Sequence, residues 1–214
     1  MGWASWNAYH CNVDETLVLK TAQMLVRTGL AALGYRYVVP QDCMFSGRSG
    51  ANSTLVEDPA RWPSTLKGLS AKIHAMGLLF GSYTSASEFT CQWRQGSYSF
   101  EAQDSRHFCD QGLDFLWIDD CGGMKWPHVR TSWERFRQGN DACVARGGRP
   151  MVMHLSSCSP ALNATGENAG CMGWIGEMGN LWRTTGDIQG APLLETASIS
   201  SQQKKQTLCS CANI

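Results

Sequence analysis

Neither sign of charge is in excess in this chain: 18 Lys and Arg balance 18 Asp and Glu over 214 residues. Like charges do not run in blocks either, which argues against a nucleic-acid groove and against a polybasic face for an anionic membrane. An uncharged partner is implied. No run of about 18 apolar residues is present to span a bilayer. No apolar signal segment precedes Met1-Gly2-Trp3, the start expected of a mature or truncated chain. Metal-finger spacing is missing too. The only close cysteine pair is Cys209-Ser210-Cys211, and no Cys-x-x-Cys accompanies a His pair, so no metal is expected. There is no glycine-rich phosphate turn after the first strand-like segment, and no internal repeat.

What is present is enough apolar material, 43% of residues, to bury one sizeable core in one domain. Ten cysteines are spread along the chain, and two sequons occur, Asn52-Ser53-Thr54 and Asn163-Ala164-Thr165. Together they point to an oxidising, secretory compartment and an extracellular or lumenal location. Nine tryptophans admit two readings, flat apolar faces for stacking on sugars or filling for core and loops.

Strand-like and helix-like segments alternate throughout. Helical periodicity covers 14–33, closed by Gly34, then 63–76, opened by Pro63, and helices are expected near 98–109 and 133–145. Strand-like runs lie at 2–6, 35–39, 78–83, 114–119, 151–155 and 181–188. Six consecutive βα units favour an α/β (β/α)8 TIM-barrel fold over an open doubly wound sheet. Such a barrel closes with eight strands, and residues 190–214 show no period, so the last two strands are expected to be missing. The organisation expected is a partial catalytic barrel over 1–189 with a divergent tail over 190–214.

Two of these runs end on acids: Phe115-Leu116-Trp117-Ile118-Asp119 and Trp182-Arg183-Thr184-Thr185-Gly186-Asp187. An apolar run ending on an acid suggests a buried parallel strand that delivers a charge to the sheet's carboxyl edge. Taken with Met1-Gly2-Trp3-Ala4-Ser5-Trp6-Asn7, Gly34-Tyr35-Arg36-Tyr37-Val38 and Asp42-Cys43, and Asp119-Asp120-Cys121, the order of motifs closely resembles glycoside hydrolase family 27. This family comprises the melibiase-type α-galactosidases and α-N-acetylgalactosaminidases, and the resemblance covers about residues 1–189.

The resemblance implies a retaining α-glycosidase that needs no cofactor and acts on terminal α-galactosyl or related sugars, with Asp119 as nucleophile and Asp187 as acid/base. Retention requires two carboxyl groups roughly 5 to 5.5 Å apart, one charged to attack and one protonated to release the leaving group. It further implies that Trp6 flanks the sugar, Asp42 accepts from its hydroxyls, Tyr83 lines the pocket and Arg183 donates to ring hydroxyls. Disulfides Cys11–Cys43 and Cys91–Cys121 are implied in the same way. At three pocket positions the chain departs from galactose-specific members: Gln41 replaces the first of two aspartates, Trp117 replaces a lysine, and Ser159 falls where small residues make room for an acetamido group. Two other readings stand beside the enzyme, a catalytically dead sugar-binding remnant and a truncated product unable to fold alone. His154, alone in an apolar strand, is read as a core histidine.

Overall fold

The computed structural model describes residues 1–121, 128–156 and 171–183. Among these residues eight strands and six α-helices follow in the order β1 (Gly2–Ala4), α1 (Trp6–Tyr9), α2 (Glu15–Arg27), β2 (Tyr37–Val39), β3 (Phe45–Ser49), β4 (Thr54–Glu57), α3 (Thr65–Ala75), β5 (Leu79–Ser85), α4 (Glu101–Asp110), β6 (Phe115–Asp119), α5 (His128–Val144), β7 (Val152–Leu155), α6 (Ile175–Met178) and β8 (Leu181–Trp182). β1, β2, β5, β6, β7 and β8 form one sheet in that order, parallel at every pairing. The six strands expected from the sequence are these six. β3 and β4 make a separate antiparallel hairpin, which the sequence reading did not anticipate.

Period two decides which side chains face the helices. Val38, Phe80, Leu116, Ile118, Met153 and Leu155 are fully buried, each contributing about 1.5 to 3 kcal/mol by leaving water. Their neighbours Tyr37, Leu79, Trp117, Asp119, Val152 and His154 point the other way and stay half-buried. They line the concave side of the sheet. There Met1, Trp3, Tyr37, Phe115, Trp117 and Leu181 help bound a cavity of about 240 Å³. Residues from both outer strands, β1 and β8, reach this cavity, so the sheet curls as part of a barrel wall.

Helix α2 is shorter than its apolar period implies. Asp14 caps its start by accepting from the Leu17 N–H at 2.7 Å, and it ends at Arg27 rather than near residue 33. Gly29 takes φ +79°, and the Ala31 N–H folds back onto the Leu25 carbonyl at 3.0 Å. The helix therefore stops at the first glycine able to reverse the chain rather than at Gly34. Helices α4 and α5 pack closely because Gly139 sits where any Cβ would collide with the Ala102 carbonyl. A Cys109–Cys143 disulfide bonds the same two helices.

Candidate active site

The site is built at the carboxyl edge of the parallel sheet, from the loops that leave β1, β2, β5 and β6. Asp119 is the last residue of β6 and lies opposite Ser85 of β5. Its Oδ1 accepts the Asp120 N–H at 3.0 Å, and its Oδ2 accepts the Tyr83 hydroxyl at 3.0 Å. Tyr83 is buried. Burial first, then the charges of Asp119 and Asp42, push its pKa far up, so it remains a phenol and can only donate to the carboxylate.

The loop after β5 is tied to this acid. Cys91 is joined to Cys121, two residues beyond Asp119, and its Sγ lies 3.9 Å from Asp119 Oδ2. The Tyr83 hydroxyl is also 3.4 Å from Cys121 Sγ. Cys91, Asp119 and Cys121 are spaced closely enough to hold a cation, but the two sulfurs are bonded to each other. This leaves Asp119 as the only anionic ligand of the three, too few for a divalent site.

Asp42 is buried beside the same loop. Its Oδ1 accepts from the Cys43 N–H and the Thr90 hydroxyl, both at 2.7 Å, and its Oδ2 accepts the Gln92 N–H at 3.1 Å. Burial raises its pKa, the three hydrogen bonds pull it back, and the Asp119 charge adds a further rise. A carboxylate has about four lone-pair sites, so three protein donors leave Asp42 one site, on Oδ2, for a further donor. Through the Thr90 hydroxyl and the Gln92 N–H it ties down the loop at 90–92. Residue 43, the next in the chain, is disulfide-bonded to Cys11.

Gln41 accepts the Trp6 N–H at 3.1 Å through Oε1, while its own N–H donates to Ser5 Oγ at 2.9 Å. It latches the loop after β2 to the loop after β1 and leaves Trp6 half-buried, edge-on to His10. Trp117 stands opposite both Tyr83 and His154 in the sheet. Its indole N–H donates to Ser156 Oγ at 2.9 Å, and its ring lies 3.9 Å from that of His154. Arg183 follows β8, half-buried, its N–H on the Leu155 carbonyl at 3.0 Å. Burial, and then the Arg183 charge, pushes His154 down to about 3. It is neutral in use.

Asp119, Tyr83, Asp42, Cys91 and Cys121 thus converge, and Trp117 lies on the strand beneath Asp119. Asp187 and Ser159 lie outside the described residues, as does the segment 190–214. The sequence reading missed Thr90, Gln92 and Ser156, whose small polar side chains or backbone groups carry no pattern of their own.

Comparison with known proteins bears on this edge. A melibiase family model, described as alpha galactosidase A, matches residues 1–209. The chain belongs to that family. Alpha-galactosidase 2 of Arabidopsis thaliana is 37% identical over 191 residues, which is 88% of this chain and 45% of the relative. The alpha-galactosidase of Saccharomyces mikatae is 36% identical over 189 residues, 88% of this chain and 38% of the relative. A solved alpha-galactosidase of Saccharomyces cerevisiae with raffinose superposes with a TM-score of 0.74 at 31% identity, over 89% of this chain and 40% of that one. The chain therefore spans less than half the length of these relatives. Its curled sheet is a partial (β/α)8 barrel of the melibiase family, six strands of it being described.

Proposed function

We propose that this chain carries the galactoside-cleaving half of a retaining α-galactosidase. The observation that carries the reading is Asp119 at the sheet's carboxyl edge, half-buried, with one oxygen held by Tyr83 and the other by a backbone N–H. In the reaction, an Asp119 oxygen attacks the anomeric carbon as the glycosidic C–O bond breaks and Asp187 gives its proton to the leaving oxygen. Asp187 then takes a proton from water, whose oxygen displaces Asp119 and restores both acids. Tyr83 orients the attacking carboxylate, and Trp6, Trp117, Ser159 and Arg183 shape the sugar pocket. Gln41 and Asp42 act mainly through the loops they hold.

The substrate is a terminal α-galactoside, in keeping with the names of the relatives and with the raffinose present in one solved relative. Three disulfides among the described residues, and an exposed Asn52 in the turn between β3 and β4, fit a glycoprotein of the secretory pathway. Hydrolysis of p-nitrophenyl α-galactoside and of its α-N-acetylgalactosaminide counterpart tests the reading, with Asp119→Asn as control. Release from the galactoside that disappears in the variant supports it. Full activity in the variant refutes it, and preference for the acetamido sugar corrects the substrate.

A further inference from the structure

The loop between β5 and α4 carries a feature that the reaction above does not use. Trp93 is 81% exposed, and Phe89 beside it is 40% exposed. Their ring centroids are 5.9 Å apart with the planes tilted by 44°. A single exposed aromatic would mean little. Trp93, however, also has φ +57°, a left-handed backbone that costs a bulky L-residue free energy and that glycine would adopt freely. A tryptophan held there, with most of its surface in water, gains little from burial to offset that cost.

The loop is also rigid where such a ring needs support. The Trp93 N–H is bonded to the Thr90 carbonyl at 2.9 Å, and Thr90 and Arg94 exchange bonds through the Thr90 N–H at 2.8 Å and the Arg94 N–H at 3.1 Å. Thr90 and Gln92 are held by Asp42, and Cys91 is covalently joined to the strand of Asp119. Trp93 lies two residues beyond Cys91, at most about 7 Å of extended chain. Cys91 Sγ itself is 3.9 Å from Asp119 Oδ2. The aromatic pair therefore sits on the loop that is covalently joined to the strand of Asp119, within a few residues of the sulfur that touches that acid.

We propose that Trp93 and Phe89 form a platform for the leaving-group side of the substrate, stacking on the apolar C–H face of a sugar joined to the galactosyl residue. This inference rests on the proposed galactosidase reading and names the part of the substrate that reading leaves open. A flat indole gains most against a pyranose face with its C–H bonds turned toward the ring, and preorganisation by the disulfide and by Asp42 lowers the entropic cost of binding. Oligosaccharides are the substrate class implied, ahead of glycosides with a small alcohol as leaving group.

The test compares raffinose with methyl α-galactoside, which has no leaving-group sugar, in binding by calorimetry and in kcat/KM. The proteins are the chain, Trp93→Gly, which removes the ring and relieves the positive φ, and Trp93→Phe, which keeps a flat face. The expected result is that Trp93→Gly weakens raffinose relative to methyl α-galactoside by about tenfold, that Trp93→Phe recovers part of the loss, and that Trp93→Gly melts no lower than the parent. Equal changes for both glycosides, no change for either, or no binding of raffinose to the parent would overturn the platform. A shift in oligomeric state without a change in raffinose preference would do so as well, assigning the rings to a second copy of the chain. Raffinose binding that depends on Trp93 in a protein that hydrolyses nothing would leave the platform standing and remove the catalytic reading alone.

Discussion

The Tyr83 hydroxyl donates to Asp119 Oδ2 across the β5–β6 pair at 3.0 Å, and Tyr83 stands in register with Trp117, two residues before that acid. The spacing follows from the strands themselves. Parallel register with period two puts residues 83 and 85 of β5 and residues 117 and 119 of β6 on the concave face. The phenol comes from a strand anchored by buried Phe80, so its position is set before any substrate arrives. Tyr83→Phe removes a hydrogen bond to a charged group, worth about 1.5 to 3 kcal/mol, and kcat/KM for an α-galactoside is expected to fall roughly ten- to a hundredfold. Unchanged kcat/KM in a folded variant would remove Tyr83 from the account.

The Cys91–Cys121 disulfide should control activity separately from Cys11–Cys43 and Cys109–Cys143. Cys91 is exposed, whereas Cys109 and Cys143 are buried and Cys11 is half-buried. A mild reductant is expected to open Cys91–Cys121 first, and activity should decline with the thiols that appear at those two positions, ahead of any loss of helical circular dichroism. Mass mapping of alkylated cysteines over a reduction time course checks this. Activity that tracks Cys109 and Cys143 instead would contradict it.

Acid sensitivity should carry a signature from His154. Its folded value, about 3, lies below the ordinary histidine value near 6.5. Between those limits the unfolded chain binds a proton that the folded chain refuses, so the stability contribution is present at neutral pH and lost as pH falls through that window. Urea melts at pH 7, 6, 5 and 4 should show the parent losing more stability than His154→Gln. Parallel curves would show that His154 titrates normally. The same burial keeps an inflection of His154 near the ordinary histidine value out of the pH–rate profile.

The six parallel strands were legible because each is a short apolar run bounded by turn residues, and Asp119 was legible because it ends one of them. The β3–β4 hairpin was not. Phe45–Ser49 reads Phe-Ser-Gly-Arg-Ser, with no alternation to betray a strand. It is held instead by Arg48, whose guanidinium pairs with buried Asp104 at 2.5 Å and lies 4.1 Å over the Phe100 ring. Such a tertiary partnership leaves no local trace. Helix α2 was overextended because Leu30, Ala31 and Leu33 continue its apolar period after Gly29 has ended it. The two disulfides beside the site came from the likeness to a family, whereas Cys109–Cys143 depends on how closely α4 and α5 approach. Gln41 and Asp42 were placed in the sugar pocket by the likeness to a family. Which hydrogen bonds they spend on the protein is decided by loops from three different strands, beyond the reach of any local pattern.

In the proposed reaction Asp119, rather than its neighbour Asp120, attacks the sugar. The most direct measurement is peptide mapping by mass spectrometry after incubation with a fluorinated α-galactoside that forms the glycosyl-enzyme faster than it hydrolyses. One added fluorogalactosyl mass per chain is expected, located by fragmentation to Asp119 and absent from Asp119→Asn. An adduct on Asp120 would contradict it, as would turnover with no adduct on either acid.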